Sequence, residues 1–323
     1  MEQPEFYRAR KSANKAQSLV ILSQSRVKEF RGSYSYKFDT LPPYRLVALD
    51  PETGCWWKLP LMPEFKAGFP EKCEMIASGS NLVVMGGRVC DNQEYVDSVF
   101  VFDFLSYKWR RGANMPGGQR WFFGCASDGD DIIYVAGGYD AKVNPHKSAW
   151  AYHVSADTWT QLPDMAHERG YCKGLFHLGK FHVIIIVYAI YLQGQQQHHQ
   201  SLEIFDTSLR QWLMLDSGDH DDKIIKLSKY CVKGTDQKLY TLSDSDLVVL
   251  EDGKWKLVAR LPADVANKSY ITPFPGHLLL TGELNYDHPH NAYILDLKDL
   301  IWTRLEVPTE YSGHVDSGCC FTI

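Results

Sequence analysis

The chain has 323 residues, 45% of them hydrophobic and 23% charged, with a formal charge of −5. That is the balance of an ordinary soluble globular protein, and its acidity gives no electrostatic case for nucleic acid or an anionic membrane as partner. The eight cysteines form no CxxC pair and no zinc-ligand spacing, so free thiols in a reducing compartment, cytoplasmic and/or nuclear, are expected.

In chain order, residues 1–16 stand apart. "MEQPEFYRARKSANKA" is rich in Arg and Lys, has few apolar anchors, and reads as a short helical stub. Residues 17–323 read as one all-β domain. "SLVILSQ" and "YRLVALD" are strands, and the tight turn "DPETG" leads to Trp57. The pattern then repeats as an apolar strand, a Gly-Gly, a loop, a strand ending in Asp, a turn and a Trp. "LVVMGGRV…VFVFDFLSYKW" and "IIYVAGGYD…AWAYHVSADTW" carry it whole, and "SLEIFDTSLRQW", "LVVLEDGKW" and "AYILDLKDLIW" supply its second half. Trp57, Trp109, Trp159, Trp212, Trp255 and Trp302 recur at roughly 43–53 residues, near the ~50-residue kelch period. A six-bladed kelch-type β-propeller follows.

The pattern assigns jobs to residue types. Gly86–Gly87 and Gly137–Gly138 mark close approach of another backbone. Each Trp offers a large apolar wedge between blades and an N–H for a backbone carbonyl. The fourth unit has "VIIIVYAIYL" where its Gly-Gly should fall, and the sixth keeps only Gly282. The surrounding run "FHVIIIVYAIYL" covers about 12 residues, short of the roughly 20 a spanning helix needs. The first unit lacks its innermost strand, and "HVDSGCCFTI" is left over after Trp302. Placing that C-terminal strand in the first blade closes the ring without an unpaired edge.

Connections in a four-stranded meander alternate between two faces. Those on one face are short ("SDGDD", "HLGK", "EDGK"); those on the other are long ("GRVCDNQEYVD", "GYDAKVNPHKS", "RRGANMPGGQR"). Long loops on a rigid scaffold are where recognition concentrates, so the long-loop face is expected to hold a target protein. Two loops there end alike, "MPGGQRWF" and "MAHERGYC", and pair an Arg with an aromatic. Arg120 with Trp121 and Arg169 with Tyr171 are therefore candidate partner-binding anchors. The competing reading is that each Arg pairs with a neighbouring carboxylate. Arg88 and Tyr139, directly after the two Gly-Gly pairs, join the candidate set.

Chemistry has less support. "GELNYDHPHN" gathers Glu283, Asp287, His288 and His290 in one loop, a set able to hold a divalent metal, but a polar loop is the simpler reading. There is no G-x-S-x-G elbow, phosphate-cradling glycine loop or H-E-x-x-H. No catalytic residue, metal or cofactor is expected. A metal-dependent or oxidative kelch enzyme is the alternative of a different class.

"PEFYRARK", "YRLVALDPETGCWWKLP", "RWFFGCASDGDDIIYVAGGYD", "DMAHERGYCKGLFHLGKFHVI" and "SGHVDSGCCFTI" together resemble the plant F-box/kelch-repeat proteins, especially the Kiss Me Deadly-like group. In that family a helical F-box docks on the Skp-type adaptor of a cullin ubiquitin ligase. The propeller captures proteins for degradation, phenylalanine ammonia-lyases and type-B response regulators of cytokinin signalling among them. The resemblance implies that "MEQPEFYRARK" is the tail of an F-box whose body is missing from this chain. Adaptor and cullin are then expected partners only where an F-box lies upstream, and a kelch-only chain would be a scaffold or competitor.

Overall fold

A computed structural model describes residues 17–25, 44–65, 68–89, 92, 94–185, 202–215, 231–265, 267–283 and 288–322. The expected helical stub at 1–16 lies outside the described residues. Among those described, the regular helical structure is one 3-10 turn, Thr309–Tyr311, and no helix is long and apolar enough to cross a membrane.

The strands fall into six four-stranded antiparallel sheets. The first blade holds β1 (Ser18–Ser25), β2 (Tyr44–Asp50) and β3 (Cys55–Lys58). The second holds β4 (Glu74–Ser78), β5 (Asn81–Met85), β6 (Val99–Asp103) and β7 (Lys108–Gly112). The third runs from β8 (Gly124–Ser127) through β9 (Ile132–Ala136) and β10 (Ala149–His153) to β11 (Thr158–Leu162). The fourth comprises β12 (Cys172–His177), β13 (Lys180–Ile185), β14 (Leu202–Asp206) and β15 (Gln211–Leu215). The fifth comprises β16 (Val232–Lys233), β17 (Leu239–Ser243), β18 (Asp246–Glu251) and β19 (Lys254–Arg260). The sixth comprises β20 (Asn267–Phe274), β21 (His277–Glu283), β22 (Asn291–Asp296) and β23 (Trp302–Leu305). The final strand, β24 (His314–Thr322), pairs with β1 as the innermost strand of the first blade, giving the order β24-β1-β2-β3. The ring closes as the leftover strand requires, with Ser18 opposite Thr322 and Ser25 opposite His314.

Alternation along the middle strands explains the core. Val83, Val101, Ile133 and Val135 face one inter-blade layer, while Leu82, Val84, Phe100 and Phe102 face the next. Both faces of a middle strand are covered by neighbouring blades, so these strands read as continuous apolar runs rather than as alternating ones. Four of the six repeat tryptophans act as the sequence suggests, whereas the buried Nε1 of Trp255 has no hydrogen-bond partner among the described residues. Nε1 of Trp109, Trp159, Trp212 and Trp302 donates to the carbonyl of Pro60, Ala113, Pro163 and Arg260 at 3.0, 2.9, 2.7 and 2.9 Å. Each acceptor lies in the segment leaving the preceding blade, so one side chain both fills the gap between blades and satisfies a loop carbonyl.

The Gly-Gly pairs fit the same logic. Gly137 has φ 66°, and a Cβ there would sit 2.6 Å from the carbonyl oxygen of Arg169. Gly86 stands in the same relation to the carbonyl of Arg120, also at 2.6 Å. Glycine is required where the entry loop of the next blade presses on the chain.

Candidate functional site

Strand polarity places the site. Every innermost strand begins at the long-loop face, so the residues just ahead of β4, β8 and β12 ring the mouth of the central channel there. Lys72, Phe122 and Tyr171 occupy this position in three successive blades. All three have left-handed backbone, with φ of 55°, 50° and 52°. Non-glycine residues held in that region concentrate where a side chain must be aimed, here toward the channel mouth.

Their side chains touch in a row. The Lys72 ammonium lies 5.3 Å from the Phe122 ring centroid, and the Phe122 and Tyr171 rings are 4.0 Å apart. Trp121 packs on Phe122 at 4.7 Å, and its outer faces meet Tyr95 at 4.7 Å and Tyr139 at 5.4 Å. The indole Nε1 donates to the Asp140 carbonyl at 3.0 Å, which fixes the ring. The Tyr139 ring packs against Gly170, where a Cβ would come within 2.0 Å of the phenol ring. Burial and the nearby Cys172 and Tyr171 push the Tyr139 phenol up, so it remains a neutral hydrogen-bonding group. The five aromatics are all half-buried, each with part of its surface open to solvent. Rigid rings with a cation at their edge form the kind of surface that anchors protein partners.

Of the six residues expected from sequence, four lie on this rim. Trp121, Tyr139 and Tyr171 are in the cluster, and Arg88 stands beside it, ion-paired with buried Glu71 and 24% exposed. Arg120 and Arg169 do not belong with them. Each is 1% exposed, so neither offers a side chain to a partner. The Arg120 guanidinium donates to the carbonyls of Gly137 (2.7 Å) and Ser148 (3.3 Å) and to Ser148 Oγ (2.8 Å). Burial pulls its pKa down to about 10, so it stays charged. Arg169 donates from Nε and Nη2 to Glu203 Oε1, both at 2.9 Å, with both side chains buried. Glu203 also accepts the backbone N–H groups of Ala166 (2.7 Å) and His167 (3.2 Å). The carboxylate-pairing reading thus holds for Arg169, while carbonyls and a hydroxyl take that part for Arg120. Both arginines staple an entry loop to its own blade and seat their carbonyls on the glycine of the blade before.

Lys72, Phe122 and Tyr95 escaped the sequence reading. The available signal was the repeat register: Lys72, Phe122 and Tyr171 each stand two residues ahead of Glu74, Gly124 and Lys173, which are equivalent in the three blades.

The loop weighed for metal binding folds differently from its sequence grouping. His288 is exposed, and Asp287 lies outside the described residues. Glu283 and His290 are instead joined by His314 of β24, with one potential ligand atom from each lying within 4.8 Å of the others. The buried N–H of Val315 donates to His290 Nδ1 at 3.0 Å, so a neutral His290 carries its proton on Nε2. That is the atom facing Glu283 Oε2, at 3.9 Å. A protonated nitrogen has no lone pair for a cation, and the cluster suits an acid–imidazole contact better than a metal centre.

Comparison with known proteins agrees with this architecture. The Kelch motif model matches residues 73–116 and 129–166. The chain is 41% identical over 320 residues to the Arabidopsis thaliana F-box/kelch-repeat protein At1g80440, spanning 98% of this chain and 87% of the relative. It is 38% identical over 321 residues to F-box/kelch-repeat protein At1g15670 of the same plant, spanning 99% and 89%. F-box/kelch-repeat protein SKIP20, also from Arabidopsis thaliana, is 30% identical over 54% of this chain and 42% of its own length. The fold is a six-bladed kelch β-propeller. The chain belongs to the F-box/kelch-repeat protein family.

Proposed function

We propose that the propeller is the target-recognition module of an SCF-type ubiquitin ligase receptor, and that it holds its target on the aromatic rim of the long-loop face. The observation that carries this reading is the row Lys72–Phe122–Tyr171. Three successive blades aim a side chain at the channel mouth from strained backbone, and Trp121, Tyr139 and Tyr95 buttress the row. Core packing does not require large rings there, whereas protein recognition uses them. Membership of the F-box/kelch-repeat family supplies the ligase context. Phenylalanine ammonia-lyase and type-B response regulators are the first targets to examine, in a cytoplasmic and/or nuclear setting, with no catalytic step by this chain.

Two assays test the reading separately. Immobilised chain should retain one of these purified targets, and Trp121→Ala with Tyr171→Ala should weaken retention at least tenfold while the folded spectrum is kept. Unchanged retention in the double variant would move the target off the rim. Co-elution with a plant Skp-type adaptor reports the ligase link. Its failure would leave a target-binding propeller that does not itself dock on the ligase.

A further inference from the structure

At the opposite end of the molecule, the six innermost strands enclose a cavity of about 410 Å³. Its entrance is framed by turns of the short-loop face, including Gly129, Gly234 and Pro275. Much of the wall is apolar, with Ile76, Ala126, Leu175 and Pro273 among its residues. Lys173 and Tyr270 both line the cavity, and Lys173 interacts electrostatically with Tyr270 and Glu74.

The charges inside are unbalanced. Among the described residues no hydrogen bond or ion pair within 4.0 Å reaches the Lys173 ammonium. The carboxyl that acts on it electrostatically, Glu74, has its own pKa raised to about 7 by burial, opposed by Lys173 and reinforced by Asp316. Near neutrality Glu74 is therefore only partly ionised. The surrounding thiols offer no anion, since burial pushes Cys125 well up and holds Cys231 and Cys320 at about 12. The Tyr270 phenol is raised as well, and its hydroxyl donates to the Gly318 carbonyl at 3.2 Å. Asp128 and Lys233 near the entrance carry opposite signs. The interior thus has a cation with no direct hydrogen-bonded or ion-paired partner among the described residues, a nearby carboxyl only partly ionised, and largely apolar walls. Lys173 itself is held protonated, which makes it an electrostatic anchor and a poor nucleophile.

We propose that this channel is a binding site for a small, largely apolar monocarboxylic acid, whose carboxylate pairs with Lys173 while its hydrocarbon part lies along the inner strands toward the short-loop face. The cavity falls within the roughly 300–1,000 Å³ range of ligand pockets, and one fixed charge among apolar walls is their usual composition. A charge-assisted hydrogen bond to the ammonium supplies orientation, and hydrocarbon burial supplies affinity. The site lies within the channel below the aromatic rim, opens toward the short-loop face, and does not depend on the ligase reading.

Calorimetric titration of the full chain with a series of ω-phenylalkanoates, phenylacetate to 6-phenylhexanoate, and with the corresponding alcohols tests the proposal. One saturable site is expected, with the best acid at least tenfold tighter than its alcohol. Lys173→Met should abolish that preference. Glu74→Gln should tighten the acid severalfold at pH 8 by removing the competing carboxylate, a gain that a misfolded variant cannot mimic. Absence of saturable binding across the series, equal affinity for acid and alcohol, or unchanged acid affinity in Glu74→Gln would each overturn the assignment.

Discussion

His314, the first residue of the closing strand, holds its Nδ1 3.0 Å from Glu283 Oε2, at the end of β21 in the sixth blade. Glu283 is buried, so this contact spans the seam where the ring closes, between the last complete blade and the strand that finishes the first. The same seam is tied by Arg45 of β2, which donates to the carbonyls of Glu310 (2.7 Å) and Ser312 (2.8 Å). Removing residues 314–323 should therefore leave β1 as an unpaired edge and abolish cooperative unfolding near the full-length midpoint. Differential scanning calorimetry reads the result, and a truncated chain melting like the intact one would show that the seam contributes nothing.

Gly137 and Gly54 separate steric conflict from backbone strain. Both have left-handed φ, 66° and 70°, but a Cβ at Gly54 would meet nothing within 4 Å whereas one at Gly137 would meet the Arg169 carbonyl. Gly54→Ala should cost about 1–2 kcal/mol, the left-handed penalty alone. Gly137→Ala should cost about 2–5 kcal/mol, because overpacking adds to that penalty. Urea denaturation of the two variants gives the comparison, and equal losses would mean the entry loop yields freely.

Arg169 and Glu203 form an ion pair sealed from water, and breaking one side strands the other. Arg169→Met should destabilise by about 3–5 kcal/mol, while Arg169→Met with Glu203→Leu should recover a large part of the loss. The backbone N–H groups of Ala166 and His167 would still lack their acceptor, so recovery should stop short of the parent. A double-mutant cycle by chemical denaturation measures this, and a strictly additive double variant would show the pair to be uncoupled.

Glu74 makes stability depend on pH. Its pKa rises from 4.5 to about 7 on folding, so between those values the folded chain keeps a proton that the unfolded chain gives up. Stability contributed by this group is complete below pH 4.5 and falls as pH climbs through 7. Glu74→Gln should therefore gain on the parent between pH 5 and pH 8, by up to about 3 kcal/mol. Parallel denaturation curves at the two pH values would show instead that channel water solvates the carboxylate.

Periodic features were the legible ones. Blade number, the tryptophan wedges and the donated last strand recur at fixed intervals or complete a visible deficit, and each survives in the structure. Arg120 and Arg169 were misread because loop length gives the face a residue starts on, not the direction its side chain takes. The acceptor that settles the direction of Arg169, Glu203, lies 34 residues on, in the third strand of the same blade. Lys72 was hidden for another reason: it shares a backbone site with Phe122 and Tyr171 but not a residue type. The Lys173 cavity is drawn from strands as distant as β4 and β24, a convergence that no local pattern displays.

The donated strand also sets a timetable. β1 (Ser18–Ser25) and its partner β24 (His314–Thr322) are separated by five blades in sequence, so β1 must wait while all of them are translated. At roughly 5–20 residues per second, that is about 15–60 s with its hydrogen-bonding edge open. For this propeller the hazardous interval is its own synthesis, when another nascent copy offering the same edge can reach β1 before its proper mate has been translated.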